Sequence, residues 1–504
     1  MSGNKNLLVL CKKHRRSLAV AAAVNVGSVL FGFDTGIAGA VVSLSSFKHD
    51  FDLATSRSTF AAVSSNIVAV LNAGAFFGAL VPPLLGFRLG RRMMLLLAGS
   101  FFLVGGILQT ASVYPNAGML YAGRVLAGFG VGIISNTAPV FAAEVSPPEL
   151  RGLLMSLFEL FLVSGGILAY WTTYGCSVHL GSERSTQWRV PLCLQIVLAA
   201  IVCLSSAFIV ESPRWLARAG RWKEARQVLA YLRDEPDQQS EAVSVELADM
   251  KAQIDEELAA THGRNLAEFL TWPNARRLLW GLSVSLLAMW SGHNAILYYG
   301  PTVFAEIGFT TEDAALLASG VFTCIKFAST LVFCLGVVQF FSRKTLMAAG
   351  ALAMSVFLFS LGALLKTHPP SLTSAITKTP AEKGMMACIY LFVVAYSVSW
   401  GPLQWIFIGE IFPMRIRDWG MAACACMIWL MNYVVSKIAP IAVENIGWKT
   451  WTIFGTMNAV AFAVSLFLPE TKDLSLEDMD ILFGATVEDE RKQHVQMKLK
   501  GEEI

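Results

Sequence analysis

EVSPPELRG, residues 144–152, closes one long apolar run and opens the next, and EIFPMRIRDWG, residues 410–420, does the same far downstream. Each carries an acidic residue, then proline, then arginine and glycine. A second echo, GFRLGRR at 86–92 and QFFSRK at 339–344, precedes the first in both halves. Two echoes in the same order indicate a duplicated unit. Each unit holds six apolar runs, at 17–42, 60–87, 93–111, 119–143, 152–175 and 191–210, then at 278–300, 314–341, 346–365, 385–408, 419–443 and 451–468. A run of ~20 apolar residues spans a bilayer as a helix, and longer ones tilt.

Composition agrees. The chain of 504 residues is 55% hydrophobic and 15% charged, with mean hydropathy +0.56. Soluble proteins carry about 25% charged residues. An all-α, multi-pass integral membrane protein follows, with the lipid bilayer as its constant partner. The first run follows CKKHRR and is too long for the core of a cleaved signal peptide. Basic clusters recur on alternate connections: Lys12, Lys13, Arg15 and Arg16; Arg88, Arg91 and Arg92; Arg343 and Lys344; Arg415 and Arg417; and the stretch 211–277. That alternation predicts cytoplasmic N- and C-termini.

The charged stretch 211–277 divides the runs six and six. The expected organisation is a cytoplasmic tail at 1–17, a six-helix bundle at 18–210, a helical cytoplasmic linker at 211–277, a second bundle at 278–468 and a tail at 469–504. Like-oriented repeats of this kind build secondary transporters, with the substrate between the halves. Nine scattered cysteines give no disulfide framework. Metal-ligand spacing and a nucleotide-binding loop are both missing from the sequence, so neither an enzyme, nor a metal, nor a cofactor is expected. Net charge is only +3, and the short basic clusters are explained by topology rather than by nucleic acid.

Within the first run lies Asp34. A carboxylate in hydrocarbon needs a partner or a task. Arg124 is the natural partner, either as half of a proton-coupling pair or as half of a static ion pair.

The chain resembles the sugar porter family of the major facilitator superfamily. The resemblance runs from LFGFDTG (30–36) through GRVLAGFGVG, EVSPPELRG, ESPRWL, SGHNAILYYGP, WGPLQW and EIFPMRIR to PETKDLSLEDMD (469–480), with a local flavour closest to fungal members. It implies twelve transmembrane helices in two six-helix bundles. It also implies alternating access and, since proton-coupled members carry Asp at position 34, proton symport of a sugar or polyol across the plasma membrane. A facilitative uniporter and a carrier of a quinate-like hydroxy acid are the alternatives. A non-transporting nutrient sensor fits less well, because such homologues carry a long tail and only a short one follows Glu470.

The resemblance also implies site roles. Asn294 and Asn432 match sugar-contacting amides, Trp405 an aromatic lining the site, and Tyr298 and Tyr299 the paired tyrosines of an outer gate. For the aromatics, packing or an interfacial belt is the competing reading. Glu159 stands where the family has Gln. It is open to substrate recognition, to a second proton site, or to a structural pairing with Lys326, with His293 as another neighbour in the pocket. Ala288 and Met289 replace a Gln-Gln pair of hexose porters, which argues against an ordinary glucose carrier. Arg91, Arg92, Glu144, Arg151, Glu410, Arg415 and Arg417 resemble the family's cytoplasmic gating network. Phe87 and Gln339 stand where the family loops carry Asp, and Ser342 replaces a Gly, so a weaker gate is expected on that side.

Overall fold

The computed structural model describes residues 12–53, 57–113, 117–147, 150–235, 240–261, 269, 271–309, 311–369, 379–413, 416–472, 479 and 482–484. All twelve apolar runs form helices. They are α1 (Arg15–Ser43), α2 (Arg57–Gly78, continuing as Val81–Leu89), α3 (Arg91–Thr110), α4 (Gly118–Val145), α5 (Arg151–His179) and α6 (Thr186–Phe208). The second half follows with α7 (Trp272–Met289 and His293–Glu306), α8 (Glu312–Val332, running on through Phe333–Val337), α9 (Arg343–Thr367), α10 (Pro380–Ser397 and Trp400–Ile411), α11 (Arg417–Ile446) and α12 (Lys449–Ser465). Among the described residues, eight spans are long and apolar enough to cross a membrane, and the bent pair of α2 makes a ninth.

Three helices are interrupted, each for a local reason. α2 bends by 47° ahead of Pro82 and Pro83, which cannot donate to the helical ladder. α10 breaks at Val398 and Ser399, a turn before the Gly401–Pro402 pair. α7 breaks at 290–292, where Gly292 adopts φ 91°, a left-handed conformation that also brings its Cα against Phe454. Backbone groups freed in an apolar core must find partners. Asn458 of α12 supplies one, donating Nδ2–H to the Ser291 carbonyl at 2.8 Å.

Elsewhere the helices touch through glycine. Gly74 and Gly78 of α2 lie against backbone carbonyls of α4, and Gly128 and Gly132 of α4 lie against those of α2. With no hydrophobic drive between helices in lipid, such close approach and its dispersion energy hold the bundle together.

Between α6 and α7, Pro213–Arg218, Trp222–Arg233 and Glu241–Thr261 form short helices sharing a small apolar core around Leu216, Leu229 and Met250. They dock at the end of the bundle where α1 begins. Arg15 and Arg16 pair with Asp234 at 3.1 and 2.9 Å, and Ser17 Oγ donates to the Leu232 carbonyl. This end is called the base below.

A Cβ at Gly128 would collide with the Leu71 carbonyl, whereas one at Gly175 meets nothing within 4 Å. Gly128→Ala is therefore expected to destabilise the protein by about 1–3 kcal/mol through overpacking, and Gly175→Ala to be neutral or better. Thermal unfolding of the two purified variants checks this.

Candidate functional site

Between the halves, polar side chains from α1, α2, α4, α5, α7, α8 and α11 converge in a region from which lipid is excluded. Asp34 and Arg124 are both buried, and Arg124 Nη1 donates to Asp34 Oδ1 at 2.6 Å. Arg124 Nε also donates to the Ile67 carbonyl at 3.1 Å, which fixes the guanidinium against α2. Asp34 Oδ2 and Arg124 Nη2 are buried with no hydrogen bond. The pair expected from sequence is thus formed, and formed with spare capacity.

Next to it runs a chain of amides. Asn432 Nδ2 donates to the Tyr298 hydroxyl at 2.7 Å and to Asn72 Oδ1 at 3.2 Å. Asn294 Nδ2 donates to Asn432 Oδ1 at 3.0 Å and to Met289 Sδ at 3.1 Å. Asn72 Nδ2 reaches Ser436 Oγ at 3.2 Å, and the Tyr299 hydroxyl donates to the Ser436 carbonyl at 2.7 Å. Tyr298 lies within electrostatic range of Asp34 and Arg124, so network and ion pair adjoin. Gly39 of α1 packs on the Tyr298 carbonyl, bringing the two halves into backbone contact there. Both tyrosines are buried and hydrogen-bonded between helices, which removes the interfacial-belt reading for them.

A second cluster lies alongside. Lys326 Nζ and Glu159 Oε1 are 3.6 Å apart, in side chains only 5% and 8% exposed. Of the two partners open to Glu159, the structure selects Lys326. His293 stacks on Tyr396 with ring centroids 3.8 Å apart and 4° between planes, and its Nδ1 meets Asn294 Oδ1 at 3.0 Å. Trp405, half-buried in the second part of α10, meets Phe158 edge-on at 5.7 Å, across from Glu159's own helix.

At the base the duplicated motifs form duplicated contacts. Arg91 grips Glu144 through Nε and Nη2 at 3.3 and 3.1 Å, and Arg343 pairs with Glu410 at 3.6 Å. The Glu211 carboxylate accepts from the backbone N–H of Arg91 and Arg92 at 3.0 and 3.2 Å, at the start of α3. In the same way Glu470 accepts from Arg343 and Lys344 at 3.0 and 3.2 Å, at the start of α9. A carboxylate at a helix N-terminus satisfies orphan donors and opposes the helix dipole. Burial pushes the Glu211 carboxyl above its ordinary range, against the pull of those N–H groups.

The side chain of Arg92 turns away from this base network. Arg92 donates instead to the Ser206 and Ala207 carbonyls at 3.0 and 2.6 Å. Arg417 is half-buried at the start of α11. The side chain of Arg151 and the whole of Arg415 lie outside the described residues, as does the Gln339 side chain. Phe87 is exposed beside Arg88. The sequence reading missed Glu211, Glu470, Asn72 and Asp418. The last of these stands 3.9 Å from Arg91, joining α11 to α3 across the halves. The repeat was the available signal, because ESPRW and PETK follow the sixth and twelfth runs in matching positions.

Comparison with known proteins places this geometry. Residues 20–483 match the family model "Sugar (and other) transporter". The quinate permease of Neurospora terricola is 33% identical over 481 residues, covering 93% of this chain and 89% of that protein. The quinate permease of Neurospora africana is 32% identical over 480 residues, with the same coverage of 93% and 89%. Among solved structures, the major facilitator superfamily proton:xylose symporter XylE bound to 6-bromo-6-deoxy-D-glucose superposes with TM-score 0.80. It is 26% identical, over 94% of this chain and 100% of that one. The inward-open form of XylE from E. coli gives 0.73 at 25% identity, over 92% and 99%.

Asn432 is the hub of the amide network. Asn432→Leu leaves the Tyr298 hydroxyl, Asn72 and Asn294 short of partners, and is expected to cost about 1–3 kcal/mol for each buried group left unpaired. A lowered melting temperature of the purified protein, larger than for an exposed Asn→Leu change, checks it.

Proposed function

The chain belongs to the Sugar (and other) transporter family, and from that premise we propose that it is a proton-coupled carrier of a polyhydroxylated solute working by alternating access. It is a multi-pass integral membrane protein and not an enzyme. The observation that carries the proton coupling is the buried Asp34–Arg124 pair at 2.6 Å. An aspartate held by one oxygen, with the other unsatisfied, can exchange arginine for a proton. Loading the proton releases Arg124 from Asp34 and loosens the tie between α4 and α1, while the Ile67 carbonyl still holds the guanidinium against α2, and this biases one arrangement of the helices over another. Proton coupling is also a property of the superposed proton:xylose symporter.

The solute reading draws on the amides. Asn294 and Asn432 both donate and accept, as a hydroxyl requires, and His293, Glu159 and Tyr298 adjoin them. Trp405 offers the flat face on which a ring's C–H groups can stack. In this structure the amides and Tyr298 bond to one another while His293 Nε2 is left open, so a solute binds by replacing those contacts and filling the open one. A hydroxy acid is favoured over hexose on two grounds: the relatives named for quinate, and Met289, whose sulfur accepts a hydrogen bond from Asn294 where hexose porters offer an amide.

Arg91, Glu144, Glu410 and Arg343, with Asp418 across the halves, make the base a closure that breaks and reforms during transport. Arg92, Arg151, Arg415 and Arg417 are proposed to act with them, on the strength of the family resemblance alone. Cytoplasmic termini accord with the distribution of Lys and Arg, and a place in the plasma membrane is what the family resemblance implies. The two bundles, 18–210 and 278–468, are read as the rocking units, with 211–277 the cytoplasmic linker and 1–17 and 469–504 the tails.

Asp34→Asn is expected to abolish accumulation against a gradient while leaving exchange of labelled solute. Uptake into transporter-deficient cells, with a panel of sugars, polyols and hydroxy acids at two pH values, measures both. Wild-type uptake should fall on raising pH or adding a protonophore, and undiminished uphill uptake by the variant would refute the coupling. Arg91→Ala, which removes the grip on Glu144 and the approach to Asp418, should open the base. A cysteine at Val140, in the small cleft between Arg91 and Asp418, should then react faster with a thiol reagent applied from the cytoplasmic side.

A further inference from the structure

The Glu159–Lys326 pair is not used by the proton reading, yet it occupies the same region between the halves. Its 3.6 Å separation is longer than the ~2.7–2.9 Å of a charge-assisted hydrogen bond. Lys326 Nζ also lies over the Tyr396 ring, 5.7 Å from its centroid, and the same ring stacks on His293. His293 Nε2 is buried with no hydrogen bond at all. A buried ammonium held loosely, an imidazole nitrogen without a partner and the Asn294–Asn432 amides therefore meet in one place.

We propose that Lys326 is the carboxylate-binding residue for a polyhydroxylated monocarboxylic acid, exchanging Glu159 for the substrate's carboxylate when the solute enters. This rests on the transport reading above and names the substrate class within it. An ammonium removed from water requires an anion beside it. Glu159 fills that need in the empty carrier, and the acid's carboxylate fills it in the loaded one. The hydroxyls are left to His293 Nε2 and the amides. Neutral polyols lack the charge that displaces Glu159, so they compete poorly. The apolar Ala288 and Met289, both buried, fit the same logic: a site that recognises its solute by charge needs fewer hydroxyl partners.

The test is equilibrium binding of quinate and of its methyl ester, which share every ring hydroxyl and differ in the charge, to the purified full-length protein. The wild type is expected to bind the acid at least ten-fold more tightly than the ester. Lys326→Gln should bring the acid-to-ester ratio close to one by weakening the acid alone. Glu159→Gln, which removes the competing anion, should strengthen acid binding several-fold. A pair that only fastens α5 to α8 predicts the opposite: both variants melt earlier and the ratio does not move. That result, or a wild-type ratio near one, overturns the proposal. Should Lys326→Gln fail to fold, Lys326→Arg must preserve the ratio, and the wild-type ratio itself still decides. In the uptake panel, pH-dependent entry of sugars or polyols without preference for the acid refutes this inference alone. No entry of any solute refutes the transport reading with it.

Discussion

Hydrocarbon offers no hydrogen-bond partner, and nearly every feature of this protein answers to that constraint. A carboxylate, guanidinium, ammonium or amide placed within the spans has to be satisfied by another part of the chain or by what the chain carries. Asp34 finds Arg124, Glu159 finds Lys326, and Asn432 holds Asn72, Asn294 and Tyr298 in one chain of bonds. All of these meet between the halves, where helices shield them from lipid. The functional region is thus the place where the energetic demand of burying polar groups has been concentrated.

Such a region is expensive to hold together and inexpensive to rearrange. Asp34, Arg124, Glu159, Lys326 and the amides each already have a protein partner, with Asp34 Oδ2, Arg124 Nη2 and His293 Nε2 left open, so an incoming group can replace one contact with another. The close helix contacts have the same character. Gly39 against the Tyr298 carbonyl and the α2–α4 glycines give tight packing without interlocking side chains, which leaves neighbouring helices able to slide. At the base, Arg91 and Arg343 hold Glu144 and Glu410 at helix ends, in side chains that are still largely buried. Glu211 and Glu470 cap α3 and α9 beside those pairs.

Much of this was legible in the chain. The apolar runs, their six-and-six division, the intramembrane Asp34 and its Arg124 partner follow from hydropathy and from the penalty on buried charge. The resemblance set Arg91, Arg92, Glu144, Arg151, Glu410, Arg415 and Arg417 together as one gating network, without separating the side chain of Arg92 from that of Arg91. Arg92 turns to the carbonyls of Ser206 and Ala207 because its neighbour takes the Glu144 side of the helix. Asn72 and Asp418 gave no signal. One is an asparagine inside an apolar run and the other one charge among several at a helix start, and only their position across the interface gives them meaning.

Sequence by itself determined the class: a duplicated six-helix membrane carrier with a titratable pair inside it. Periodicity, length and the cost of charge in lipid act locally along a helix, so they can be read one segment at a time. Only the tertiary structure decided which buried group satisfies which: that Lys326 rather than His293 answers Glu159, that Met289 Sδ accepts a hydrogen bond from Asn294, and that His293 Nε2 is left open. Those outcomes depend on how α5, α7, α8 and α11 cross. Crossing is set by many small packing contacts at once, and no single stretch of chain contains them.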